Sequence, residues 1–361
     1  MVLEKYGFDN SKHQNSEYIP ARVIAVHRER YRLICENGEC VGKLKTREYY
    51  VDGDVFPTAG DFVNIKYNPV GESMIVETLP RRTVFMRKDP DPNRGEQAVA
   101  ANFDYVFIMQ SLNHDLNMKR LERYLTLAWQ SGAKPVVVLT KADLADDVSS
   151  QILMAEIYAM GAPVHAVSSH TGYGMNELEP YFTPGNTIVF LGSSGVGKSS
   201  LVNALVGREI MATNDIREDD SRGRHTTTHR ELIMLECGAM IIDTPGMRAL
   251  GMWDVSSGIE NAFKDVEAFL GRCRYSDCQH DSEPVCAIKM AIESGELSRE
   301  RWESYLALKK EARYSDDKDA FLREKREWHK SLSKGTKQLK KTSPKHRFQK
   351  EKLLWKELSE Q

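Results

Sequence analysis

The chain has 361 residues, of which 41% are hydrophobic and 28% are charged. These proportions are typical of folded globular proteins and exclude a chain that is disordered throughout, and the length predicts two or three domains. The formal net charge of −2 hides an asymmetry: residues 301–361 hold 18 Lys and Arg against 10 Asp and Glu, so the C-terminal end is the predicted contact for a polyanionic partner.

The first residues, 1–16, form a predicted N-terminal extension without the apolar segment of a signal peptide. The longest apolar runs, such as VVVL at 136–139, are too short to span a membrane. We therefore expect a cytoplasmic protein with no membrane contact. Its six cysteines are then expected to be thiols or metal ligands rather than disulfides.

Short runs of alternating apolar and polar residues predict a small β-barrel over residues 17–85. Asn37-Gly38, between two of these runs, indicates a hairpin. Cys35 and Cys40 flank that turn, and we interpret them as packing thiols rather than as part of a metal site. The Pro- and Gly-containing tract DPDPNRG then predicts a linker over residues 86–100.

Residues 101–252 alternate strand-like apolar runs with helical stretches, which predicts an α/β domain with a mostly parallel sheet. Ligands of such folds bind at the carboxyl ends of the strands. Each candidate motif of this region directly follows an apolar run. The motifs are therefore expected at one edge of the sheet.

The sequence TKAD, residues 140–143, is the candidate base-reading motif. The carboxylate of Asp143 can accept hydrogen bonds from N1–H and the 2-amino group of guanine, a pair of donors that adenine lacks on that edge. The expected base contacts from this half of the domain are Thr140, Lys141, Ala142, Asp143, Ser168 and Ser169. Thr140 stands where Asn is usual, and a shorter side chain there predicts weaker support of the loop.

The sequence GSSGVGKS is a complete phosphate-binding loop with a strand before it and a helix after it. Backbone N–H groups of such a loop surround the phosphates, Lys198 supplies charge to the β and γ oxygens, and Ser199 offers a hydroxyl to Mg²⁺. The expected phosphate contacts are Gly192, Ser193, Ser194, Gly195, Val196, Gly197, Lys198, Ser199 and Ser200, with Gly246 at the γ-phosphate.

The remaining catalytic candidates follow the phosphate loop. Asp243, at the end of the run AMIID, is the predicted carboxylate for Mg²⁺. One of Thr226 to Thr228 is expected to complete the Mg²⁺ site, and we favour Thr227. Met247 occupies the place where many GTPases have a water-orienting Gln, so we expect slow hydrolysis without a partner, with His225 either positioning water or serving only as a loop residue.

The base-reading motif precedes the phosphate loop, whereas the opposite order is usual. The order predicts a circularly permuted GTPase. Two more segments follow: a predicted mainly helical domain at 253–300 and a basic helical tail at 301–361. In the first, Cys273, Cys278, His280 and Cys286 fit one closed, structural Zn²⁺ site per chain.

With these motifs in this order, the chain resembles the bacterial ribosome small-subunit-dependent GTPase A family over roughly residues 20–300. The resemblance implies an OB-fold barrel, a permuted GTPase domain and a zinc domain, and a monomer that binds the 30S subunit and its 16S rRNA. It also implies that the subunit stimulates hydrolysis of GTP and that hydrolysis releases the protein late in subunit maturation.

Other readings of the residues stay open. The phosphate loop alone also fits an ATP-using enzyme, and the barrel and tail also fit a nucleotide-switched RNA-binding regulator that does not hydrolyse GTP. The lysines of the tail fit either phosphate contacts or an ordinary solvated end.

Overall fold

The structure, a computed structural model, does not describe every segment of the chain. Met1–Lys309 forms one compact unit and Lys310–Gln361 a second, described only at 310–316. His225, Thr227, Gly246 and Met247 lie outside the described residues, as does the tail beyond 316. The described ranges are 2–10, 17–27, 30–44, 56–88, 96–113, 116–209, 230–243, 256–280 and 283–316.

Five strands form the predicted N-terminal barrel: β1 (Ile19–His27), β2 (Arg30–Cys35), β3 (Gly38–Leu44), β4 (Phe62–Lys66) and β5 (Ser73–Thr78). Their order is β1-β2-β3-β5-β4, and β4 pairs back with β1, so the barrel closes. Alternating side chains fill its interior because successive residues of a strand face opposite sides. The buried residues there include Val23, Leu33, Cys35, Val63 and Ile75, and Cys40 packs against them. The expected OB-type barrel is confirmed.

The barrel is joined to the rest of the molecule through strand pairing and a buried arginine. Strand β1 also pairs with β12 (Arg230–Met234), so the barrel and the α/β domain share one eleven-stranded sheet. The guanidinium of Arg22, on β1, is buried and donates hydrogen bonds to the Asn102 carbonyl at 2.9 Å and to Thr187 Oγ1 at 3.0 Å. A buried charge needs several such acceptors, so Arg22 holds these elements together.

The segment predicted as a linker, residues 86–100, includes two paired strands. Strand β6 (Val84–Lys88) runs antiparallel to β7 (Glu96–Ala101). The Pro and Gly residues that suggested a linker all fall in residues 89–95, between these strands and outside the described ranges. The tract therefore connects two strands, and the exact domain boundaries stay predictions.

The α/β domain contains the remaining strands in a mostly parallel arrangement. They are β8 (Tyr105–Ser111), β9 (Lys134–Thr140), β10 (Val164–Ala166), β11 (Thr187–Gly192), β12 and β13 (Met240–Asp243), in the order β10-β9-β8-β11-β13-β12. Only β12 of these pairs antiparallel. The helices are α2 (Met118–Gln130), α3 (Val148–Ala159) and α4 (Lys198–Val206), with 3-10 helices at Ala142–Leu144 and Met175–Tyr181. Phe107, Val138 and Ile188 lie in its apolar core.

The C-terminal part of the described chain is helical, as predicted. It comprises the helices α5 (Ser256–Ala262), α6 (Lys264–Glu267), α7 (Ala287–Ser294) and α8 (Arg299–Asp316). The short helix α1 (Val2–Lys5) lies at the other end of the chain. Arg301 is buried and binds the Glu122 carboxylate of α2 at 2.6 Å and Asp265 of α6 at 2.9 Å. This network fixes the start of α8 against the α/β domain. Among the described helices, none is both long enough and apolar enough to cross a membrane.

Candidate nucleotide and metal sites

The phosphate loop connects β11 to α4 and has the backbone shape that its glycines allow. Gly195 and Gly197 have φ angles of +71° and +99°, in the left-handed region that residues with a Cβ rarely adopt. A Cβ on Gly192 would lie 3.0 Å from the Met109 carbonyl oxygen, so this glycine lets the loop pass close to β8. Helix α4 begins at Lys198, which directs its first N–H groups toward the loop.

Asp243 lies beside the phosphate loop, as the strand order requires. Strand β13 pairs in parallel with β11, so the two strands end at the same edge of the sheet. The Lys198 ammonium and the Asp243 carboxylate form an ion pair there, and both side chains are largely sheltered from solvent. Ser199 and Ser200 follow on the first turn of α4. A lysine, a carboxylate and a serine hydroxyl are therefore brought to one edge, which is a set suited to phosphate and Mg²⁺.

Thr140 links the candidate base-reading loop to the phosphate loop. It ends β9, its side chain is buried, and its hydroxyl donates to the Val196 carbonyl at 2.5 Å while lying 3.3 Å from the Gln110 carbonyl. The hydroxyl therefore reaches the phosphate-loop backbone directly, and weaker support than an asparagine would give stays a prediction. The following residue, Lys141, has a left-handed backbone with φ +58°, which turns the chain into the 3-10 helix.

Asp143 and Ser168 meet at the same edge of the sheet. The Ser168 hydroxyl donates to the Asp143 carboxylate at 2.5 Å and accepts from the backbone N–H groups of His170 and Thr171. Ser168 is buried, whereas Asp143 and Ser169 are exposed. The serine thus orients an otherwise accessible carboxylate, which is the arrangement that recognition of paired N–H donors needs.

Two residues that sequence reasoning missed shape this half of the site. Gly174 has φ +66°, and a Cβ there would lie 2.1 Å from the Ala166 carbonyl oxygen, so only glycine fits under the loop that carries Ser168. Gln110 is buried at the end of β8, and its amide exchanges hydrogen bonds with the backbone of Asn117. The sequence feature that could have pointed to Gln110 is a polar residue within the strongly apolar run YVFIMQS of β8.

Cys273, Cys278, His280 and Cys286 converge as predicted. Their ligand atoms all lie within 4.8 Å of one another. His280 Nδ1 is 3.4, 3.6 and 3.5 Å from the three Sγ atoms in chain order, and the Sγ atoms of Cys273 and Cys286 are 3.9 Å apart. A tetrahedral zinc ion with bonds of about 2.3 Å to sulfur and about 2.0 Å to nitrogen separates its ligands by about 3.5 to 3.8 Å. The four side chains therefore fit one tetrahedral metal ion.

The cysteines of this cluster differ in pKa. Burial acts to raise the pKa of Cys273, but hydrogen bonds with the backbone of Ala287, with the thiols of Cys278 and Cys286 and with the backbone of Ile288 together outweigh it and lower that pKa. Burial raises the pKa of Cys278 to about 11. The ring of Trp302, on α8, packs edge-on against His280 with centroids 5.5 Å apart. Because Arg301 is the neighbouring residue, the metal cluster and the contact with Glu122 lie at the same end of α8.

Comparison with known proteins agrees with the nucleotide-binding motifs described above. Residues 78–253 match the sequence model of the RsgA GTPase family. A relative from Listeria monocytogenes, named small ribosomal subunit biogenesis GTPase RsgA 2, is 45% identical over 353 residues, covering 96% of this chain and 100% of the relative. One of the same family name from Methanosarcina acetivorans is 43% identical over 263 residues, covering 73% of this chain and 71% of the relative.

Solved structures show the same architecture. YjeQ from Thermotoga maritima aligns with a TM-score of 0.61 at 26% identity, covering 80% of this chain and 96% of the other. YloQ, described as a circularly permuted GTPase, aligns with a TM-score of 0.58 at 23% identity, covering 84% and 98%. The permuted order is visible in the chain itself, since β9 and β10 precede the phosphate-loop strand β11. The similarity over almost the whole length, together with this order, places the chain in the RsgA family of circularly permuted GTPases, which are GTP hydrolases.

Proposed function

We propose that this GTPase binds the small ribosomal subunit, acts in its late maturation and leaves after hydrolysing GTP. The observation that carries the proposal is the relative that matches over its full length and is named for biogenesis of that subunit. The permuted sheet, the phosphate loop and the barrel support the same assignment. The 30S subunit and its 16S rRNA are the proposed partners, and a cytoplasmic monomer is the proposed state.

In the proposed site the phosphate loop, Gly192 to Ser200, holds the phosphates, with Lys198 on the β and γ oxygens. Ser199 and Asp243 would hold Mg²⁺ with Thr227, and that ion neutralises charge on the phosphate oxygens. The Lys198–Asp243 ion pair must then open, because each side chain takes a different partner when nucleotide binds. Gly246 would donate its N–H to the γ-phosphate.

Guanine selection in this proposal belongs to Asp143, which Ser168 orients. Thr140, Lys141, Ala142 and Ser169 complete the base pocket. Nucleotide competition tests the assignment: GTP should displace labelled GDP, and ATP should not do so at a thousandfold excess. Comparable displacement by ATP would contradict the role of Asp143.

The hydrolytic step is proposed to depend on the ribosomal partner. Met247 has no group that orients water, and His225 is the candidate to do so in the bound complex. A single-turnover measurement on His225→Ala with 30S subunits checks this. A large fall in rate is expected, and an unchanged rate would remove His225 from the mechanism.

The metal of the Cys₃His cluster is proposed to be one structural Zn²⁺ per chain, because three thiolates and one imidazole suit that ion and leave no position open. Metal analysis of purified protein should find about one zinc per chain. Chelation should lower the melting temperature, since few apolar side chains stabilise this segment. A metal-free protein with unchanged stability would contradict the assignment.

Binding to the subunit is tested by co-sedimentation. Full-length protein with a non-hydrolysable GTP analogue should migrate with 30S particles and not with 50S particles, and GDP should weaken the association. Deletion of residues 331–361 should reduce binding at moderate salt if the tail contacts rRNA phosphates. Association with 50S alone, or with neither particle, would contradict the proposed function.

A further inference from the structure

Helix α3 carries apolar side chains on the face that points away from the domain. Its inner face packs on α2 and β10 through Ala155 and Ala159, which are buried. On its outer face Leu153, Met154 and Ile157 are 62%, 49% and 71% exposed. Their spacing of one, three and four residues places them on one side of the helix. They form what we call the α3 patch.

A helix that is apolar on both faces normally has partners on both faces. The inner face of α3 has its partner in the sheet, whereas no described segment of the chain covers the α3 patch. Contiguous exposed apolar side chains of this kind mark contact sites, since they bring no benefit to a face that stays in water. The α3 patch therefore requires an occupant.

The charge around the α3 patch restricts what that occupant can be. Helix α3 and the loop before it, residues 142–159, contain four Asp and Glu and no Lys or Arg, whereas α2, on which the inner face of α3 packs, carries Lys119, Arg120 and Arg123 in its first turns. Glu156 lies on the exposed side of the helix, and Asp146 and Asp147 lie at its start. An RNA backbone laid on the exposed face of α3 would meet the like charge of Glu156, as would a second copy of the chain docked through the same face.

We propose that the α3 patch docks a basic protein segment with apolar side chains, carried by a protein of the small ribosomal subunit. This inference rests on the proposed function for the location of the partner. Proteins that bind RNA carry Lys and Arg to neutralise phosphates, so such segments are available on a ribosomal particle. Apolar contact at the α3 patch and attraction by Glu156, Asp146 and Asp147 then act together.

The experiment compares surface variants of the full chain in binding to intact 30S subunits with a non-hydrolysable GTP analogue. The double variant Leu153→Ser, Ile157→Ser should bind about tenfold or more weakly, as expected for central apolar contacts. Val70→Ser, on the barrel, removes another exposed apolar side chain, at 95% exposure, and should bind like the wild type. GDP affinity and basal GTPase rate should be unchanged in both, which excludes misfolding.

Charge reversal separates a protein partner from RNA. Glu156→Lys should weaken binding to 30S subunits, more so at low salt, because it repels a basic segment. Tighter binding of this variant would show an RNA contact and overturn the proposal. Equal binding of the double variant and the wild type would overturn it as well.

A photo-cross-linking amino acid at position 157 identifies the occupant. An adduct with a 30S protein that survives ribonuclease is expected. An adduct with RNA, with a second copy of the chain, or with nothing would contradict the proposal. Wild-type protein that fails to co-sediment with 30S subunits would contradict the proposed function, whereas binding without a protein adduct contradicts only the inference about the α3 patch.

Discussion

Thr140→Val tests whether the hydroxyl of this residue couples the base-reading loop to the phosphate loop. Valine has nearly the same shape, but it cannot donate to the Val196 carbonyl, which Thr140 reaches at 2.5 Å. A neutral hydrogen bond contributes about 1 kcal/mol, and a buried acceptor left without a donor costs about 1 to 3 kcal/mol. We therefore expect a loss of about 1 to 2 kcal/mol.

That energy should appear in nucleotide binding, because an unsupported phosphate loop must be ordered when the nucleotide enters. A loss of about 1 to 2 kcal/mol weakens GDP binding by about 5- to 30-fold. Fluorescent GDP titration measures it. Thr140→Ser keeps the hydroxyl and should retain most of the affinity.

Thr126→Val is a matched control. Thr126 is also buried and its hydroxyl also donates to a carbonyl, that of Glu122 at 2.9 Å, but it lies in α2 and away from the phosphate loop. It should lose folding stability and keep GDP affinity. If both valine variants bound GDP equally, the coupling through Thr140 would be refuted.

Two further predictions concern close packing and buried charge. Gly174→Ala should weaken GDP binding because the added Cβ would lie 2.1 Å from the Ala166 carbonyl oxygen. Gly172→Ala is the control: its Cβ would have no neighbour within 4 Å, so it should show only the smaller cost of its positive φ. Equal affinities of the two variants in a GDP titration would contradict this prediction. Arg301→Met should destabilise the fold by about 3 to 5 kcal/mol in urea denaturation, because Glu122 remains buried without its partner. Burial raises the pKa of Glu122, so its ionisation opposes folding as pH rises above about 4.5, and the loss should be smaller at pH 5 than at pH 8. A pH-independent loss would rule out the carboxylate as its cause.

The fold could be read from sequence where local patterns decide the structure. The phosphate loop, the run before Asp143 and the cysteine spacing each specify a local shape, and their order along the chain specified the permutation. The Asn37-Gly38 pair likewise marked the hairpin of the barrel. The structure places the phosphate loop and the loop of Asp143 at one sheet edge because the parallel strands before them end together.

Contacts between distant segments could not be read in that way. No local pattern shows that Arg22 lies between the barrel and the α/β sheet, or that Arg301 meets Glu122 across 179 residues of sequence. The tract at 89–95 has the composition of a linker, yet it connects two paired strands. The composition of residues 89–95 describes only the connecting tract, whereas strand pairing depends on the sequences of the two strands that the tract connects.

The central claim is that this GTPase acts with the small ribosomal subunit, and its most direct test is the rate of GTP hydrolysis with isolated 30S, 50S and 70S particles. The account predicts slow hydrolysis by the protein alone, strong stimulation by 30S subunits and little by 50S subunits. A rate that 30S subunits leave unchanged, or that 50S subunits raise equally, would contradict it.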